Sequence, residues 1–146
     1  MGLLVALGIG VLTLFVLLAV MLVRRAVIVW GGGAIVMNVR VSTRYPGRGW
    51  APGLGRFDGD VLRWYRIFSL SIRPKYVLHR SQLEVQSRRA PDEMELLALP
   101  ENAIVLRCAY RDGHLDIAMR QGALNGFLSW LEAAPPGAAS RRIAVW

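Results

Sequence analysis

Four stretches of the 146-residue chain carry residue types that could do chemistry. Asp58-Gly59-Asp60 presents the paired carboxylates that hold a metal-bound sugar nucleotide, but an Asp-Gly step between two apolar runs is explained more simply as a hairpin turn. Gly47, Gly49 and Gly53 nearly spell a dinucleotide fingerprint. The third glycine falls one place late and no helix is predicted to follow, so no helix N-terminus would face a pyrophosphate. His79 and His114 lack a cysteine or His-x-x-x-His partner, which leaves only a shared site with Asp116 to consider. Cys108, the single cysteine, sits at an inward strand position and reads as a small core residue. No Gly-x-Ser-x-Gly nucleophile or phosphate-loop lysine occurs. The expectation is a non-enzymatic protein without a cofactor or metal.

Charge carries more information. The chain has a net charge of +8, and residues 24–90 hold thirteen Lys or Arg against Asp58, Asp60 and Glu84, whereas residues 91–146 hold five against seven acids. Only Lys75 is lysine, and guanidinium groups grip phosphate bidentately where an ammonium acts as a point charge. Arg24, Arg25, Arg44, Arg48, Arg73, Lys75, Arg88 and Arg89 are all expected in a hinge or in turns, where they could contact anionic lipid or phosphate. An anionic leaflet attracts each nearby basic residue by about 1 kcal/mol. Orientation and solubility are the plainer use of the same charges.

The elements that must position these residues begin with an uncharged run from Gly2 to Val23. As a helix it covers roughly 33 Å, against a hydrocarbon core of about 30 Å. A cleavable signal peptide would need a basic n-region, a shorter apolar core and a small-x-small site, none of which is present. Basic residues flanking a span stay cytoplasmic, so Arg24 and Arg25 predict an outside N-terminus and a cytoplasmic domain in the cell membrane. The expected organisation is an anchor over 1–25, a hinge over 26–34 containing Gly31-Gly32-Gly33, a soluble domain over 35–134 and a flexible tail over 135–146. Ala26 to Val29 are expected to continue the helix by about a turn.

The soluble part alternates like a β domain. Strands are predicted over Ile35–Ser42, Gly49–Phe57, Val61–Phe68 (with Leu62, Trp64 and Phe68 on one side), Tyr76–His79, Leu83–Ser87 and Leu96–Leu99. Ser69–Lys75 reads as a loop and Arg88–Asp92 as a turn. Ile104, Leu106, Cys108 and Tyr110, an Asp112-Gly113 turn, then Leu115, Ile117 and Met119 form the clearest hairpin. The period then changes. Leu124, Phe127, Leu128 and Leu131, joined by Ala123, Trp130 and Ala134, make a helical stripe opposite Asn125, Ser129 and Glu132, ended by Pro135-Pro136. About seven strands and a closing helix predict a pleckstrin-homology-like bent sheet or open barrel.

The run "GRFDGDVLRWYRIFSLSIRPKYVLHRSQLEVQSRRAPDEMELLALPENAIVLRC", followed by "FLSWLEAAPPG", resembles the actinobacterial domain of unknown function 2550 family. The resemblance implies one N-terminal span with a small soluble domain and a gene context beside ATP synthase genes. It brings no established activity and no catalytic residues. Two functions are therefore expected to compete: a membrane-anchored module with a basic face toward anionic lipid headgroups, and an accessory protein of a larger integral membrane complex. Nucleic acid is not an expected partner, because the chain is tethered and carries no recognisable reading motif.

Overall fold

The uncharged run winds into one α-helix, α1 (Gly2–Val29), of 28 residues. That is about 42 Å of helix, more than a hydrocarbon core requires. By length and apolar composition α1 is able to cross a membrane. Thr13, its lone hydroxyl, donates to the carbonyl of Ile9 at 2.8 Å and needs no water there. The helix continues through Ala26–Val29. The computed structural model describes residues 1–30 and 32–133, so Gly31, Ala134, Pro135-Pro136 and the 135–146 tail lie outside the described residues. The chain divides into two compact units, the first being Met1–Gly32 and the second beginning at Gly33.

In the second unit, seven strands form one antiparallel sheet: β1 (Ala34–Arg40), β2 (Trp50–Asp58), β3 (Val61–Arg66), β4 (Tyr76–His79), β5 (Leu83–Arg89), β6 (Ala103–Tyr110) and β7 (Gly113–Arg120). Their order across the sheet is β4-β3-β2-β1-β7-β6-β5. β1 pairs with β2 along its whole length but with β7 only at Asn38↔Ala118 and Val39↔Ile117. The sheet therefore bends at that short ladder into a curled half-barrel. Helix α2 (Gln121–Glu132) follows directly, giving the pleckstrin-homology-like order of seven strands and a closing helix.

The core lies inside this curl. Met37, Leu62, Trp64, Leu78, Leu106, Cys108, Ile117 and Met119 meet Leu124 and Phe127 of α2 there. The glycines that interrupt β2 make room for the largest of them. A Cβ at Gly53 would lie 2.3 Å from the Trp64 ring, and one at Gly55 would lie 2.5 Å from the Met37 sulfur. The Trp64 indole N–H then donates to the Met37 carbonyl at 3.1 Å, satisfying its one polar atom in the core.

The last turn of α2 is fastened to the β2–β3 hairpin. Trp130 Nε1 donates to the Gly59 carbonyl at 2.7 Å, while Arg80 Nη1 donates to the Trp130 carbonyl at 3.0 Å. A cation on the final carbonyls of a helix satisfies an orphan acceptor and suits the dipole.

Several sequence expectations are corrected. β3 stops at Arg66: the Ile67 N–H still bonds the Pro52 carbonyl in register, but Pro52 has no N–H to return and the chain turns at Ile67-Phe68; Phe68 lies beyond the strand and is 74% exposed. Leu96–Leu99 is a series of turns closed by Ala98 and Leu99 N–H bonds to the Glu95 carbonyl, not a strand. Arg88 and Arg89 belong to β5, since a bulge between Val85 and Ser87 lets pairing continue to Arg89↔Val105. The β6–β7 turn is Arg111-Asp112, with Gly113 already paired to Tyr110, and the β2–β3 turn is Gly59-Asp60, with Asp58 paired to Val61.

Candidate lipid-contacting surface

Strand direction decides which basic residues share an end of the sheet. β1, β3 and β6 all run opposite to their neighbours β2, β4 and β7. The loops leaving β1 (41–49) and β3 (67–75) therefore emerge at one end, with the Arg111-Asp112 turn. Arg44 and Arg48 sit in the first loop and Arg73 and Lys75 in the second, all with exposed side chains. The chain leaves β5 at the opposite end, so Arg88 and Arg89 are not part of this group. Arg24 and Arg25 lie in α1, one turn before its end.

The β1–β2 loop owes its shape to Arg40, which no local pattern had singled out. Its Nε donates to the Arg48 carbonyl and its Nη2 to the Tyr45 carbonyl, both at 3.3 Å. Gly49, at φ +88°, closes the base of the loop where a Cβ would strike the Ser42 carbonyl. With its backbone held from within, the loop presents Arg44 and Arg48 outward.

The β3–β4 loop is built differently. Its ends are fixed by Ile67 N–H to the Pro52 carbonyl (3.0 Å) and Lys75 N–H to the Trp64 carbonyl (2.8 Å). Between them Ser69 Oγ accepts from the Ser71 N–H and Ser71 Oγ from the Arg73 N–H, each at 3.2 Å, so serine hydroxyls stand in for backbone turn partners. The loop encloses a notch of about 240 Å³ lined by Arg66, Ser69, Ser71, Arg73 and Lys75 together with Phe68 and Pro74. Three large apolar side chains in this loop, Phe68, Leu70 and Ile72, are 74%, 62% and 79% exposed.

Arg89 has a different task on the outer face of the sheet. Its guanidinium makes two bonds to Glu95, at 2.7 and 2.9 Å, and Glu95 also accepts the Asp92 N–H at 3.0 Å. Arg40 stands 3.9 Å from Glu95 and 3.6 Å from Asp116, which is held bidentately by Arg107 at 3.0 and 3.3 Å. Glu95 is only 1% exposed. The bonds from Arg89 hold its carboxyl below the ordinary carboxylate range, burial opposing them. This network pins residues 90–102 across the outer face, beside a small apolar cluster of Leu99, Ala103, Val105, Ala118 and Trp50. Arg88 donates to Gln121 Oε1 at 3.0 Å, at the start of α2.

The carboxylates of Asp58 and Asp60 are paired and the Cys108 thiol is buried. Asp58 pairs with Arg63 at 2.8 Å and Asp60 with Arg80. Burial pushes the Cys108 thiol up to about 12, with Asp116 adding to the shift. Among the described residues no three His, Cys, Asp or Glu side chains are grouped to hold a metal ion.

Comparison with known proteins places the chain beside mycobacterial relatives. It is 36% identical to Uncharacterized protein Rv1312 of Mycobacterium tuberculosis (strain ATCC 25618 / H37Rv) over 143 residues, 92% of this chain and 95% of that one. It is 33% identical to Uncharacterized protein ML1147 of Mycobacterium leprae (strain TN) over 142 residues, with the same coverage. The family described as Protein of unknown function (DUF2550) matches residues 11–137, the greater part of both units, and the chain belongs to that family.

Proposed function

We propose that this protein is a single-pass, membrane-anchored binding module whose basic loop end rests on anionic lipid headgroups, with the N-terminus outside and the β domain cytoplasmic. The observation that carries the reading is the convergence of Arg44, Arg48, Arg73 and Lys75 at one end of the sheet. The covalent connection keeps the domain near any bilayer crossed by α1, since from Val29 to Ala34 the chain reaches at most about 18 Å when fully extended, although it enters β1 at the end of the sheet opposite these loops. Four basic residues near an anionic leaflet supply roughly 4 kcal/mol of attraction, enough to orient a domain already held by its anchor. The carboxylates paired to arginine and the buried thiol support a non-enzymatic role.

The test is sedimentation of the fragment beginning at Gly33 with phosphatidylcholine vesicles of increasing phosphatidylglycerol content. Attraction between charged surfaces is screened over about 8 Å at physiological salt, so binding is expected to fall steeply between low and moderate ionic strength. Replacing Arg44, Arg48, Arg73 and Lys75 together with Gln is expected to abolish it, whereas Arg88→Gln is expected to have little effect. A folded fragment that ignores anionic vesicles at low salt would remove the lipid reading and favour an accessory role in a membrane complex.

A further inference from the structure

The β3–β4 loop combines two features that headgroup attraction alone does not require. Phe68, Leu70 and Ile72 are exposed on a loop whose two ends are fastened to the sheet, and the adjoining notch carries Arg66, Arg73, Lys75 and two serines. Large apolar side chains clustered in water mark an interaction surface. A protein partner is the general expectation for such a patch, but here one of the apolar residues, Phe68, itself lines the cationic notch. A bilayer offers phosphates over acyl chains, so a basic notch beside exposed apolar side chains matches both layers. The loop also leaves the sheet at the end that bears Arg44 and Arg48.

The geometry points to a membrane-inserting role for the β3–β4 loop: Phe68, Leu70 and Ile72 enter the headgroup–acyl boundary, and Arg73 and Lys75 hold a lipid phosphate at the notch. This rests on the proposed lipid-facing function and deepens it, since it distinguishes a domain that lies over the headgroups from one that penetrates them. Amphipathic surfaces bind at this depth, about 5–10 Å into the boundary, when apolar burial adds to electrostatic attraction. The serine-built turns limit the ordering that insertion would demand, because the loop backbone is already hydrogen-bonded.

The experiment uses the full chain carrying Leu70→Cys, labelled with an environment-sensitive fluorophore and reconstituted into vesicles of mixed phosphatidylcholine and phosphatidylglycerol. Native Cys108 is wholly buried and does not compete for the label. The probe is expected to shift to the blue and to be quenched by spin-labelled acyl chains, while the same probe at Ser129→Cys, on the exposed face of α2, is not. In the fragment from Gly33, the combination Phe68→Ser, Leu70→Ser and Ile72→Ser is expected to lower vesicle partitioning about tenfold or more, a loss that low salt does not restore. An unquenched Leu70 probe with salt-sensitive sedimentation intact overturns insertion and leaves the headgroup reading standing. An unquenched probe with no sedimentation at low salt overturns both.

Discussion

Phe127→Ala is expected to cost about 3–5 kcal/mol of stability, the range for removing a buried aromatic side chain from a packed core. Phe127 is fully buried in the main cluster beside Leu124, and its ring lies 6.1 Å from that of Trp130. Trp130 packs against Phe57 in a tilted arrangement with ring centroids 5.2 Å apart and bonds Gly59, so a cavity at 127 also loosens the tie between α2 and the β2–β3 hairpin. A domain of this size has roughly 5–15 kcal/mol in total, so much of the population would unfold under mild denaturant. Asn125→Ala provides the control on the exposed face. It removes one bond from Gln121 at 3.0 Å, worth a few tenths of a kcal/mol (roughly 0.2–0.5) on a helix surface. Urea unfolding of the fragment from Gly33 measures both, and equal losses would mean that α2 does not close the core.

Arg89→Met is expected to be damaging for an electrostatic reason. It leaves the buried Glu95 carboxylate without its bidentate partner, and an acceptor so deprived costs about 1–3 kcal/mol, the half-exposed Arg89 keeping the loss below that of a fully buried pair. Adding Glu95→Leu removes the stranded charge and should recover part of the loss. The same pair sets an acid sensitivity. Hydrogen bonds from Arg89 are the main cause that holds the Glu95 carboxyl below its ordinary value of 4.5, with the Asp92 N–H and Arg40 assisting against burial. A carboxyl depressed in the folded state contributes stability that is complete above the unfolded value and lost as pH falls through the folded one. Urea midpoints should therefore drop as the medium is acidified below about pH 4.5, and Glu95→Gln should flatten that slope. An unchanged slope would mean that Glu95 is not the group responsible.

The parts legible in the sequence were those governed by local periodicity. Alternation over Ile104–Tyr110 and Leu115–Met119 gave the β6–β7 hairpin, and the stripe through Leu124 and Phe127 gave α2 with its buried face. The uncharged run gave α1. Partners across the sheet were not legible, because a period of two assigns a face without naming a neighbour. Arg40, Arg89, Glu95 and Asp116 meet only once β1, β5 and β7 are in place, which is why Arg89 read as a surface cation. The 89–92–95 spacing was the one local hint of its pairing. Phe68 was misplaced for a related reason: its apolar character extended the β3 pattern, and only the pairing of β2 with β3 sets Ile67 opposite Pro52, which has no N–H to carry the ladder further. Exposed Phe68, Leu70 and Ile72 alternate with serines as a half-buried strand would, so periodicity could not mark them as a surface.

The proposal that α1 holds the β domain over the anionic cytoplasmic leaflet is tested most directly by topology. Arg24, Arg25 and the basic loops all follow the apolar run, and positive residues flanking a span are retained inside. Green fluorescent protein and alkaline phosphatase fused in turn after Trp146 of the full chain report the side on which the domain resides. The expected result is a fluorescent first fusion and an inactive second one; strong phosphatase activity with a dark fluorescent fusion would place the domain outside and contradict the account.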